Sequence, residues 1–306
     1  MPVGTAAQYP QLKDMGLIAT IYSKIVNAKY YAQCLLPEIT NSMYTGEIKN
    51  MGDKVVIAQR PTIVTRDYKK GQNLETQTPE SQPIELEVDK AKYYNFVIDD
   101  IDADMAHIVL QDEYTDDGNK NMAIDTETDF LSSIIADAAA TNQGATAGAK
   151  SAAFNLGTAG SPLSVTKSDI IEKLVTAARA VLGETNAVQN GDKGIWMLIP
   201  EVLRHAAVNS DLKDASIIGG ASALRTGRLG VVDGVTLYSS NLIHQSGTKF
   251  YCPFGTKDAV SFAAAMTKSE TLRSPNTFGQ LYRGLHVYGW KTIKPEALGV
   301  AIVTKG

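Results

Sequence analysis

GDKVVIAQRPTIVTRDYKKGQNLETQTPESQPIELEVDKAKYYNFVIDDIDAD, residues 52–104, joins two unlike segments without a linker. Lys54 to Gln59 is a short β-rich run; Pro61 interrupts it and Thr62 to Thr65 resumes it, and a proline inside a strand pattern marks an edge or a bend. Arg66 to Glu80 is polar, with Gly71 and Pro79 as turn residues. The return strand alternates, with Ile84, Leu86 and Val88 on one face and Glu85, Glu87 and Asp89 on the other, and continues through Tyr93, Phe96 and Ile98. This predicts an antiparallel hairpin with one apolar face and a long hydrophilic tip. A lone two-stranded hairpin is marginal in water and needs another surface to lie on. Asp99, Asp100, Asp102 and Asp104 then open a helical pattern, where carboxylates favour the helix dipole. Capping, together with pairing to a basic neighbour, is the preferred reading of this cluster; a cation site is the alternative, and the D-x-[DN]-x-[DN]-G order of a calcium loop is missing.

Charge is partitioned sharply around this junction. The 306-residue chain is 44% hydrophobic and 20% charged with a net charge of −4. Residues 1–95 carry 11 Lys/Arg against 10 Asp/Glu, residues 96–140 one against 12, and residues 141–306 17 against 11. Such a division favours contact between opposite patches, within a chain or between copies, as an alternative to a merely solvated acidic helix face.

Outward from the junction, residues 1–16 read as an extended arm and Leu17 to Leu36 as an amphipathic helix ended by Pro37. Helical spacing runs from about Ile101 to Tyr114 and, after Gly118, from about Met122 to Ala140, so one long broken helix or two in series is expected. Residues 141–165 read as a loop or insertion. Helix Ser168 to Leu182, strand Ile195 to Ile199, a short helix from Pro200 to Val208, a glycine-bearing loop over 209–230 and strand Val235 to Ser239 follow. Val260 to Met266, Leu281 to Trp290 and Gly299 to Thr304 have strand or short-helix character. The pattern is mixed α+β, in one large domain or two modest ones.

Chemistry-bearing motifs are scarce. Gly219, Gly220, Gly227 and Gly230 lack the lysine and order of a phosphate loop, and no G-x-S-x-G or H-E-x-x-H occurs. His107, His205, His244 and His286 are isolated from Cys and carboxylates at ligand spacing. Ser164 to Lys167 and Ser210 to Lys213 match S-x-x-K without its partner motifs. Cys34 and Cys252 read as two reduced thiols, which fits a reducing cytoplasm. No apolar run is long enough to span a membrane, and no basic cluster with interleaved aromatics suggests sequence-specific nucleic-acid binding. No catalytic, cofactor or metal site is expected.

The order of parts resembles the major capsid proteins of tailed bacteriophages, with the HK97-type fold. The resemblance rests on Gly52 to Ile57 leading to the Pro61-Thr62 bend, Asp67-Tyr68-x-x-Gly71-Gln72 at the tip, Lys92 to Asp100 before a long helix, Gly234-Val235-Thr236-Leu237-Tyr238-x-Ser240-Asn241, and Tyr288-Gly289-Trp290-Lys291-x-Ile293-Lys294-Pro295-Glu296. It implies an N-arm (1–45), an E-loop hairpin (46–98), a P-domain with a long spine helix (99–150 and 256–290) and an A-domain (151–255 and 291–306). It also implies pentamers and hexamers of an icosahedral virion head, assembled in the host bacterial cytoplasm, with A-domains at their centres and each E-loop over a neighbouring P-domain. The shell would enclose double-stranded DNA without reading its sequence. Partners implied are a separate scaffolding protein (since the arm begins at residue 1 with no helical extension), a portal and a possible decoration or cement protein. No lysine and asparagine pair aligns for covalent cross-linking. On this reading Arg60, Arg66, Lys69 and Lys70 of the E-loop meet Asp112, Glu113, Asp116, Asp117, Asp125, Glu127 and Asp129 of a neighbour's spine. An encapsulin-like compartment shell is the nearest alternative, and a cytoplasmic hydrolase with an unrecognised site is one from another class.

Overall fold

The computed structural model describes residues 29–44, 54–61, 63–105, 110–188, 194–208, 228–275 and 277–306. The N-terminal arm to residue 28, His107 and most of the 209–230 loop lie outside them. In chain order the helices are α1 (Leu36–Ile39), α2 (Asp100–Met105), α3 (Leu110–Asp137), α4 (Ala177–Glu184) and α5 (Glu201–Val208). The strands are β1 (Lys54–Ala58), β2 (Pro83–Glu87), β3 (Lys90–Asp99), β4 (Leu163–Val165), β5 (Ile195–Ile199), β6 (Arg228–Val232), β7 (Val235–Ser239), β8 (Gln245–Ser246), β9 (Lys249–Thr256), β10 (Val260–Arg273), β11 (Gly279–Thr292) and β12 (Leu298–Lys305).

These strands make a two-stranded sheet (β1-β2), a three-stranded sheet (β10-β11-β3) and a seven-stranded sheet ordered β4-β12-β9-β5-β7-β6, with β8 on β9. All five residues of β5 are buried, as expected of a central strand covered on both faces. Met197, Leu237, Phe254 and Val303 form one core with Leu174, Val181 and Leu182 of the segment leading through α4. Trp196, Leu198 and Val300 form the other with Phe130, Leu131 and Ile134 of α3 and with Leu35 and Ile39. The C-terminal half of α3 is therefore rooted in the large sheet. Each such side chain contributes about 1.5–3 kcal/mol on burial.

Several expectations are corrected. Residues 29–35 are not helical, and Pro37 stands in the first turn of α1, where its missing N–H costs nothing, so it starts a helix instead of ending one. The return strand divides at Val88-Asp89: β2 pairs with β1 and β3 with β11. Tyr93 falls on the face opposite Phe96 and Ile98, and is 78% exposed where Ile98 is 8%. Ile63 to Thr65 form no strand. Arg228 to Gly230 belong to β6, not to a loop. The spine does not break at Gly118; α3 runs through it for 28 residues, about 42 Å at 1.5 Å per residue.

Candidate assembly surface

The root of the arm is set by strand alternation. Ile57, Leu86 and Val88 pack with Ala263, Val287 and Ile293, which fixes the hairpin base on the three-stranded sheet. On the outer face Lys54 lies 3.1 Å from Glu87 and 3.5 Å from Glu85. Beyond the root the chain leaves every partner surface: all of residues 63–82 are exposed and none is in a strand. Only local brackets shape them. The Gln72 N–H donates to the Lys69 carbonyl at 2.9 Å, Gly71 takes φ +86°, and Arg66 pairs with Glu75. Among the described residues Arg60, Lys69 and Lys70 have no ion-pair partner, and Arg60, Arg66, Lys69 and Lys70 meet no acid of α3 within the chain.

The seven acids of α3 divide. Asp112, Glu113 and Asp125 are exposed and form no ion pair among the described residues. Asp116 pairs with Lys120 one turn on, at 2.5 Å. Asp117 accepts from Lys29 Nζ at 2.9 Å and Tyr31 Oη at 2.5 Å. The Asp117 carboxylate pushes the Tyr31 phenol up to about 12, and its own affinity for protons is lowered by Tyr31 and Lys29. Asp129 lies 4.0 Å from Lys90, whose ammonium sits 3.7 Å over the Trp290 ring. Glu127, expected on the exposed acidic face, is 1% exposed. Its Oε2 accepts the N–H groups of Leu35 at 2.6 Å and Leu36 at 3.1 Å, so it caps the first turn of α1 from α3. Burial raises its pKa against the opposing pull of those two N–H groups. Its neighbour Cys34 is raised to about 11, by burial first and by the Glu127 charge next. Cys34 and Cys252 are both free thiols.

Two of the aspartates before the spine, Asp99 and Asp100, are engaged as a cap and an ion-pair partner. The Asp99 carboxylate accepts the Ile101 N–H at 3.0 Å, and Asp100 takes both arms of the Arg273 guanidinium, a bidentate, charge-assisted contact.

Sequence reasoning missed the groove between β3 and α3. Its volume is about 590 Å³, and its lining includes Tyr94, Phe96, Tyr114 and Met122 together with Lys92, Asp117 and Asp125. Tyr94 reaches from β3 to Gly118 on α3 and to Gly284 on β11. Its hydroxyl is enclosed and has no hydrogen-bond partner among the described residues. A glycine in mid-helix was the one available signal, because it permits a close approach that any side chain would obstruct.

This architecture matches solved phage capsids over nearly its whole length. "Mycobacterium phage Che8" is 22% identical, with 92% of this chain and 96% of that chain covered and a TM-score of 0.69. The capsid of cyanophage P-SCSP1u is 16% identical, covering 99% and 98% at a TM-score of 0.64. The mature capsid of bacteriophage PhiM1 is 14% identical, covering 99% and 97% at 0.64. None of the curated proteins compared matches the sequence. The fold is thus that of an HK97-type capsid subunit. A model of the phage capsid protein family matches residues 81–303, and the chain belongs to that family: it is a major capsid protein, a structural subunit that assembles with copies of itself into the icosahedral shell of a virion. The compartment-shell and hydrolase alternatives are not favoured.

Proposed function

We propose that this chain builds pentamers and hexamers of a head around double-stranded DNA, and that the arm of each copy lies on the P-domain of the next. On this reading the N-arm, E-loop, P-domain and A-domain divide near residues 45, 98, 150, 255 and 290. The observation that carries the arm's role is the exposed run 63–82 with two cations, Lys69 and Lys70, that have no ion-pair partner among the described residues, in a chain that bears its excess of acid elsewhere. Arg60, Lys69 and Lys70 then face Asp112, Glu113, Asp116 and Asp125 across subunits. Arg66, bracketed to Glu75, and Asp117, Glu127 and Asp129, engaged within the chain, take a smaller part than their sequence positions suggest. Each exposed pair is worth only about 0.2–1 kcal/mol, but every copy repeats it. The role is structural, with no catalytic step assigned to any residue. A separate scaffolding protein, a portal and a decoration protein are the partners this reading entails, and contact with DNA is independent of sequence.

The test is Lys69→Glu with Lys70→Glu in the full chain, followed by sedimentation and electron microscopy. The expected outcome is loss of shells from subunits that keep the wild-type circular dichroism. Normal shells from the double variant would overturn the proposed pairing.

A further inference from the structure

Residues 29–35 form no helix or strand, yet the segment is fixed to α3 at two points. At its downstream end Glu127 Oε2 accepts the N–H groups of Leu35 at 2.6 Å and Leu36 at 3.1 Å. At its upstream end Asp117 accepts from Lys29 Nζ and Tyr31 Oη, and the Lys120 ammonium sits 4.8 Å over the Tyr31 ring. The segment therefore runs antiparallel to α3, along roughly 15 Å of helix at 1.5 Å per residue. It is a strap with a carboxylate under each end.

The two carboxylates have opposite chemistry. Asp117 is partly in water and faces a phenol and an ammonium, which favour its ionised form. Glu127 is 1% exposed, and its Oε1 is buried without a hydrogen-bond partner among the described residues. A carboxylate has about four lone-pair sites to fill, and an ionised one left bare in an apolar interior is costly. A proton on Oε1 removes that cost, while Oε2 goes on accepting both N–H groups as a carbonyl does. Lifting the strap removes it in another way, by opening Glu127 to water, where it ionises near about 4.3.

The titratable and charged groups of the surrounding elements are engaged elsewhere. Lys29 and Tyr31 turn to Asp117. Lys92 of β3 donates to the Asp125 carbonyl at 3.2 Å. Lys90 lies by Asp129, which also accepts from the Tyr288 hydroxyl at 3.4 Å. Glu38 of α1 is 3.6 Å from Lys257, and the Tyr251 ring of β9 lies against His244. The Cys34 thiol does donate to Glu127, but burial outweighs its pull and that of the two N–H groups, and the carboxyl is raised.

We propose that residues 29–36 are a proton-linked strap: they dock on α3 with Glu127 neutral and lift more readily as Glu127 ionises, so that pH sets how firmly the chain upstream of residue 29 is tethered to the spine. The sign follows from linkage, because the docked state holds the proton more tightly than the lifted one. The Asp117 anchor has the opposite sign, since it holds Lys29 and Tyr31 as a carboxylate. Both ends hold together in mildly acid solution, and at neutral pH the buried end is the one that gives.

Amide hydrogen exchange of the full-length wild-type chain, as dissociated subunits, tests this between about pH 4.5 and 7 after correction for the intrinsic pH dependence of exchange. The protection of Leu35 and Leu36 is expected to fall at least tenfold across that range. At its upper end these amides are expected to be at least tenfold less protected than those of Ile195 to Ile199 in β5, as local opening requires. Protection that is flat or rises with pH overturns the proposal. So does protection equal to that of β5, because the strap would then leave only with the whole fold. In Glu127→Gln the fall is expected to vanish; its persistence would assign the proton to another group and overturn the proposal. Asp117→Asn leaves the buried anchor in place and is expected to keep the fall at Leu35 and Leu36; its loss there would place the proton at the wrong end of the strap and contradict the assignment.

Discussion

Tyr94 on β3 lies against Gly118 on α3, so that a Cβ at residue 118 would stand 3.1 Å from the ring. The tip of the same ring lies over Gly284 of β11, where a Cβ would be closer still. The ring is therefore held from two sides and cannot step away from either. Helix propensity alone would make Gly118→Ala stabilising by about 1 kcal/mol. With Tyr94 in place, Gly118→Ala and Gly284→Ala are each expected to destabilise, the latter by about 1–3 kcal/mol, the range for overpacking. In a Tyr94→Ala background the Gly118→Ala change is expected to reverse sign and stabilise. Thermal unfolding of the four chains of that cycle checks this, and additive effects would rule it out.

The arm's root is anchored by buried side chains, Leu86 among them. Leu86 is 0% exposed in the cluster that fixes the hairpin base. Leu86→Ala is expected to cost about 2–5 kcal/mol and to open the 54–87 segment to protease. Unchanged proteolysis at that segment would show that the root is held by something else.

Glu127 gives the subunit a pH dependence of unusual sign. Its folded pKa is raised by burial above an unfolded value of about 4.3. The folded state then binds the proton more tightly, so this group's contribution is fully present below the unfolded pKa and is lost as pH rises through the folded one. Relative to Glu127→Gln, the wild type is expected to lose Tm as pH rises from about 4 toward neutrality. A difference that grows with pH would refute the assignment. Glu127→Ala, which strands the buried N–H of Leu35 and the part-buried N–H of Leu36, is expected to cost about 1–3 kcal/mol.

Asp169 acts in the opposite sense. The Lys173 ammonium, with the Thr166 N–H and hydroxyl, holds it down to about 2. Its contribution is present above the unfolded value of about 3.9 and lost as pH falls toward 2. Asp169→Asn is expected to shallow the acid-unfolding curve between those limits, measured by tryptophan fluorescence.

Much of this was legible in the sequence because burial left a pattern. Ile195 to Ile199 read as a buried apolar strand, Pro200 marked the start of the following helix, and Leu86 and Val88 declared the arm's inner face. What misled were places where a neighbour overrides local preference. Gly118 reads as a helix break until Tyr94 is known to need the space. Pro37 reads as a stop, yet it begins a helix whose first N–H groups are capped by Glu127, 90 residues further on. Tyr93 follows the apolar run but lies in the exposed phase, because the even-numbered residues keep the inner face from Ile84 through Ile98, across the division at Val88-Asp89. The candidate surface was half legible: the bases and acids could be read, but which acids were already engaged within the chain could not, since Lys29, Tyr31, Leu35 and Lys90 are distant in sequence.

The central claim is that the arm of one copy lies on the next. Electron cryomicroscopy of assembled shells, at a resolution that traces the backbone, tests it most directly. The expected map shows residues 63–82 crossing to a neighbouring subunit, with the Lys69–Gln72 turn beside that neighbour's α3. A map in which the arm folds back onto its own subunit, or projects free of any other, would contradict it.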